Sequence, residues 1–228
     1  MGTQLSPENV DAFIIRASES IQRAVETGET PLSSEATFRF LFAWELGRLL
    51  GFPHEYRFDL ECGIYNSPDS NDKFLDLLVW TDPTFKVALE FKLPKKVLTG
   101  SNTPQGRGRI CRDIARLSYL VRNRISAVGV GYFLCATNEG SYLSEGSKRI
   151  NRQYKTHQGV TYAPGSVIAK GQLPNGIPRD LQFPTHEVRF EWQGVEEKGI
   201  TSSRLGPKGR YAWLKPIKIW TESRVNDD

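Results

Sequence analysis

A chain of 228 residues with 39% apolar, 11% aromatic and 25% charged residues has the composition of one globular domain of moderate size. That composition excludes a disordered chain, a collagen-like repeat and a disulfide-stapled miniprotein. The formal charge of +4 divides into −5 over residues 1 to 100 (10 basic, 15 acidic) and +9 over residues 101 to 228 (20 basic, 11 acidic), the footprint of either a polyanion-binding face next to an acidic site or a solvated basic surface.

Met1 to Glu8 is polar, without the basic-then-apolar layout of a signal peptide, so a cytoplasmic protein is expected. Ser6-Pro7-Glu8 reads as an N-cap followed by proline at the first helical position. Val10, Phe13, Ile14, Ala17, Ile21 and Val25 then repeat at helical spacing until Gly28. A second helix is predicted from Ser33 or Ser34 to Leu50, stopped by Gly51 and Pro53. A short strand candidate, Arg57 to Glu61, precedes the turn-rich stretch from Tyr65 to Asp72. Two strands follow, Lys73 to Trp80 and Phe85 to Leu93, joined by Thr81-Asp82-Pro83-Thr84.

Pro94 to Gly108 reads as a basic loop, followed by a helix over Arg109 to Arg122 and an apolar strand over Ala127 to Ala136. The run Val128 to Ala136 is about half of what a membrane-spanning helix needs, so no membrane partner is expected. Later, Ser141 to Tyr154 reads as helical, Pro164 to Pro184 as loop, and His186 to Trp192 and Tyr211 to Trp220 as strands. The order α, α, β, β, β, α, β indicates an α/β or α+β domain with a central mixed sheet flanked by helices. Residues 1–137 form the expected core with its N-terminal helices. Residues 138–228 are expected to form a β-rich extension that completes the sheet, within one compact domain, and to supply target recognition or dimer contacts.

The chemistry concentrates in the paired strands. Phe85, Val87, Leu89, Phe91 and Leu93 share one face of a period-two pattern; Glu90 and Lys92 share the other, about 7 Å apart. Asp76 lies in a stretch otherwise apolar on both faces, where a carboxylate is costly unless paired or metal-bound. A register that sets Asp76 opposite Glu90 brings two carboxylates and Lys92 together. Hard oxygen ligands with open water positions suit Mg²⁺, and a nearby ammonium can orient or deprotonate a bound water. The bland alternative makes Glu90 and Lys92 the wet face of an edge strand. Glu45 interrupts the apolar stripe Phe38, Leu41, Phe42, Leu49; it either pairs with Arg48 or reaches the same metal site.

Asp76, thirteen residues, then Glu90-Phe91-Lys92 resembles the D-x(n)-(D/E)-x-K core of the PD-(D/E)xK, restriction-endonuclease-like nucleases. Residues 34 to 136 carry the resemblance, which includes the hairpin, the acid on the preceding helix and the basic helix after the lysine strand. Leu75 stands where the name motif has proline. The resemblance implies a restriction-endonuclease-like core and a Mg²⁺-dependent endonuclease hydrolysing DNA, of restriction or phage-defence type and of prokaryotic or phage origin. It implies Asp76, Glu90 and Lys92 as catalytic residues and Asp76, Glu90 and auxiliary Glu45 as metal ligands, with Mn²⁺ an expected substitute. A homodimer is the expected assembly, because cutting both strands calls for two copies of one small site. RNA stays open as a substrate. The alternative is a non-catalytic nucleic-acid-binding module, or a subunit of a defence or repair complex that keeps the fold.

The next helix carries Arg109, Arg112 and Arg116 on one stripe, preceded by Lys95, Lys96 and Arg107. Together these are the candidate phosphate contacts, unless they are a solvated face in which Asp113 pairs with a neighbouring arginine. Cys62, Cys111 and Cys135 stand far apart, form no zinc signature with the three histidines, and suit a reducing compartment. Trp192, Trp213, Trp220 and Tyr211 are expected to pack a C-terminal sheet, with base stacking or a dimer interface as other uses.

Overall fold

The computed structural model describes residues 5–52, 56–64, 74–95, 103–145, 153–168, 181–193 and 211–221. Helix α1 spans Val10–Glu26 and α2 spans Glu35–Leu50. Ser34 caps α2, its hydroxyl accepting from the Thr37 N–H at 3.0 Å, and Gly51 closes the helix with a left-handed φ of 78°. The predicted cap at Ser6 is displaced: its N–H donates to Asn9 Oδ1 at 2.9 Å, so a turn precedes α1 and the helix begins three residues after Pro7.

Strands β1 (Arg57–Cys62), β2 (Leu75–Trp80) and β3 (Lys86–Lys92) form an antiparallel meander. Helix α3 (Thr103–Arg122) then crosses over to β4 (Val128–Thr137), which runs parallel to β3. Four two-residue strands follow: β5 (Thr161–Tyr162), β6 (Val167–Ile168), β7 (Leu181–Gln182) and β8 (Val188–Arg189). The last two strands, β9 (Trp192–Gln193) and β10 (Ala212–Ile219), extend the sheet beyond β4 in the order β1-β2-β3-β4-β10-β9. The result is an α+β fold around a mixed sheet. None of its described helices is long and apolar enough to cross a membrane.

Period-two alternation explains the two cores. Leu77, Val79, Val87, Leu89 and Phe91 turn to α1 and α2, where Phe38 and Phe42 meet Phe91 edge-on at 5.2 and 5.3 Å between ring centres. Burying each such ring contributes about 1.5–3 kcal/mol, so α2 is fixed across β3 beside Glu90 and Lys92. Leu78, Ala88, Phe133 and Cys135 pack in one cluster with Ile110, Ile114 and Leu117 of α3, which Ile168, Phe183, Val188, Phe190 and Trp192 also join.

Three expectations are corrected. Residues 103–108 are the first turns of α3, not loop, because the two glycines there serve close packing. A Cβ on Gly106 would meet the Tyr142 hydroxyl at 1.8 Å, and one on Gly108 would lie 3.5 Å from the Tyr154 ring. The predicted helix over Ser141–Tyr154 does not form at its start, where Gly140–Tyr142 make a 3₁₀ turn and residues 143–145 are not helical; Gln153 near its end is helical, and residues 146–152 lie outside those described. The strand expected over His186–Trp192 is broken into β8 and the start of β9, which join different sheets.

Candidate active site

In the β2–β3 register Leu77 faces Leu89 and Leu78 faces Ala88, so one further step sets Asp76 opposite Glu90. Both acids, with Lys92, stand at the carboxyl end of the parallel pair β3/β4, the end of such sheets at which ligands bind. Asp76 Oδ2 accepts the Phe91 N–H at 2.8 Å, and Asp76 Oδ1 accepts from Arg39 Nη1 at 2.8 Å. Arg39 comes from α2 and also reaches Glu61 on β1 at 2.8 Å. Lys92 Nζ sits 3.0 Å from Glu35 Oε1 and 3.0 Å from Asp113 Oδ2, so the first turn of α2 and the middle of α3 close on it from two sides. Arg116 Nη1 lies 3.2 Å from Asp113 and Nη2 lies 3.6 Å from Glu90.

Four carboxylates, Glu35, Asp76, Glu90 and Asp113, therefore gather with three cations, Arg39, Lys92 and Arg116. Glu90 is only 1% exposed. Burial pushes its carboxyl well above the usual value; Asp113 and Asp76 add to the push against Arg116 and Lys92. Burial alone would pull the Lys92 ammonium down, but Asp113, Glu35, Asp76 and Glu90 together outweigh it and push it up. Lys92 is thus a standing positive charge, suited to orienting water and offsetting negative charge, and not to accepting a proton.

Glu45 does not join this group. Its two oxygens take the Arg48 guanidinium as a fork at 2.8 and 2.7 Å, which holds the carboxyl below its usual range, with a further hydrogen bond from Ser20 of α1. Ten residues along α2 from Glu35, it stands about 15 Å down the helix axis from the end that meets Lys92. The acid on α2 that reaches the cluster is Glu35. Helical geometry decides this: Glu45 lies on the α1-facing side of its helix.

The candidate phosphate contacts separate as well. Arg109 is exposed and Arg112 half-buried, both open to a ligand. Arg116 is drawn into the carboxylates. Lys95 donates to the Leu32 and Ser33 carbonyls at 3.3 and 2.9 Å, bracing the entry to α2. Arg107 is fully buried, its Nη2 donating to the Ser141 and Ser144 carbonyls at 2.5 Å each, so it pins the loop after β4 instead of facing outward. Lys96 lies outside the described residues.

Sequence reasoning missed Arg39 and Glu35 and gave Asp113 only a local partner. Each has an ordinary local explanation: an acid in a first turn suits the helix dipole, and Asp113 does pair with Arg116 three residues on. Thiol chemistry finds no support, since burial pushes Cys62 to about 11 and Cys111 to about 12. The donor set of Asp76, Glu90 and Asp113 is hard oxygen with an excess of negative charge, which fits a divalent cation such as Mg²⁺. Among the described residues, no three acidic, histidine or cysteine side chains are already placed to share one ion. Comparison of the chain with protein-family models, curated proteins and solved structures found no match.

Proposed function

We propose that the protein is a divalent-cation-dependent nuclease with a restriction-endonuclease-like core, hydrolysing phosphodiester bonds in DNA. The observation that carries this reading is Glu90, a nearly fully buried carboxylate set across from Asp76 and beside Lys92 at the carboxyl end of β3. A structural strand has no use for an acid whose ionised form is so disfavoured. The element sequence α2-β1-β2-β3-α3-β4, with β3 and β4 parallel, supports the same reading.

Asp76 and Glu90 would hold the cation, which when bound supplies Lewis acidity and charge neutralisation at the phosphodiester. Lys92, kept protonated by its carboxylate neighbours, orients the attacking water and offsets the charge that develops on the phosphoryl oxygens. Asp113 and Glu35 hold the Lys92 ammonium in place from α3 and α2. Exposed Arg109 and half-buried Arg112 lie on the same helix as Asp113 and supply backbone contacts to the substrate. A cytoplasmic homodimer is the proposed assembly for cutting both strands.

Supercoiled plasmid incubated with the protein and Mg²⁺ should be nicked or linearised, and EDTA should abolish this. Intact plasmid across Mg²⁺ and Mn²⁺ titrations would refute the nuclease reading. The ion pairing of Asp76 by Arg39 favours a second reading, a nucleic-acid-binding module that keeps the cluster as a buried salt-bridge network. That module would bind duplex in EDTA as well as in Ca²⁺.

A further inference from the structure

The guanidinium of Arg39 sits on the Asp76 oxygen that the backbone of β3 does not engage, and so competes with an incoming ion for that carboxylate. Asp76 Oδ2 is committed to the Phe91 N–H, leaving Oδ1, and Arg39 Nη1 sits on Oδ1 at 2.8 Å. The pair is shielded, with 14% of the Arg39 and 12% of the Asp76 side chain exposed. The other end of the fork rests on Glu61, 65% exposed on the edge strand β1. Arg39 therefore has a solvent-side partner to hold it close when it leaves Asp76.

We infer that Arg39 is an exchangeable cation: it neutralises Asp76 in the free protein, yields that carboxylate to the divalent ion, and then binds a non-bridging oxygen of the substrate phosphate. The inference rests on the nuclease reading of the same site. Charge explains the exchange. With all groups ionised, the four carboxylates and Glu61 against the three cations of the cluster leave two negative charges. A divalent ion cancels these two charges and takes over the neutralisation of Asp76, which frees the guanidinium for the negative charge of a phosphodiester. A guanidinium freed on one edge offers the planar donor pair that phosphate oxygens fit, in a place already desolvated. Lysine would not bridge Asp76 and Glu61 in this way, because it is a point donor. A purely structural brace between α2 and β2 is the competing account, and it makes opposite predictions for metal affinity.

The test uses the whole chain and two variants, Arg39→Leu and the conservative Arg39→Lys, each checked for native circular dichroism. Mn²⁺ binding is measured by calorimetry, and binding of a fluorescent duplex by anisotropy in Ca²⁺ and in EDTA. Removing the competing guanidinium should tighten Mn²⁺ by about threefold to tenfold in Arg39→Leu, with Arg39→Lys in between. In both variants duplex affinity in Ca²⁺ should fall about tenfold and the salt slope by about one, with little change in EDTA. Unchanged or weaker Mn²⁺ binding in folded variants overturns the inference and makes Arg39 a brace. Tighter Mn²⁺ with unchanged duplex affinity overturns the phosphate contact. Wild-type protein that binds no Mn²⁺ removes the metal site itself, and the inference with it; the first two results leave that site standing.

Discussion

Asp76 and Glu90 face each other as a pair of acids, yet removing them should move stability in opposite directions. Asp76→Ala takes away the acceptor of the Phe91 N–H, a bond of 2.8 Å to a residue with no exposed surface. An amide hydrogen left unpaired there costs about 1–2 kcal/mol, and losing the shielded partner of Arg39 costs about 1 kcal/mol more. The sum, about 2–3 kcal/mol, corresponds to a fall in Tm of about 6–9 °C at about 3 °C per kcal/mol for a chain of this size. Asp76→Asn keeps an oxygen for the Phe91 N–H and should lose only about 1 kcal/mol, although both substitutions remove the metal ligand. Urea unfolding followed by circular dichroism, with slopes compared so that only the midpoint is interpreted, measures both. If Asp76→Ala is as stable as the wild type, or Asp76→Asn falls as far as Asp76→Ala, the account of Asp76 as a backbone acceptor is wrong.

Glu90→Gln should stabilise the protein at pH 8. Because burial raises the folded-state value above the ordinary 4.5, the stabilising contribution of Glu90 is fully present only below that pH. It is lost as pH rises through the folded-state value, at about 1.4 kcal/mol per unit of difference. The stability gap between variant and wild type should therefore narrow from pH 8 to pH 5; a gap independent of pH contradicts the assignment. Glu45→Gln should leave Mn²⁺ affinity and plasmid cleavage unchanged within twofold, since its oxygens serve Arg48 and Ser20; loss of metal binding would restore it as a ligand. Arg109→Ala and Arg112→Ala should each lower the slope of log affinity against log salt by about one. Arg107→Ala, buried on the Ser141 and Ser144 carbonyls, should leave that slope unchanged, and anisotropy over a salt series separates the three.

Local pattern alone was enough for α2, whose apolar residues recur at the helical period, and for β2, β3 and β4, which are short, mostly apolar runs buried on both faces and bounded by turn residues. It also set Glu90 and Lys92 on one face and singled out Asp76 as an acid where apolar residues belong. Local pattern could not read Gly106 and Gly108, whose lack of a side chain signals a turn until Tyr142 and Tyr154 are seen packed against them. Nor could it decide between partners. Glu45 and Arg48, or Asp113 and Arg116, satisfy each other within one helix, yet Asp113 also serves Lys92 on β3 while Glu45 turns to Ser20 of α1. Arg39 meets Asp76 across 37 positions of chain and Glu35 meets Lys92 across 57. Such pairings depend on where α2 crosses the sheet, which is set by packing of Phe38 and Phe42 on Phe91. Burial acts in the same way: an arginine in sequence is a charge, and only the tertiary structure decided that Arg107 is enclosed, Arg109 open and Arg116 held by carboxylates. The types of group in the site were written in the chain; their partners, exposure and protonation came from distant segments meeting where water is excluded.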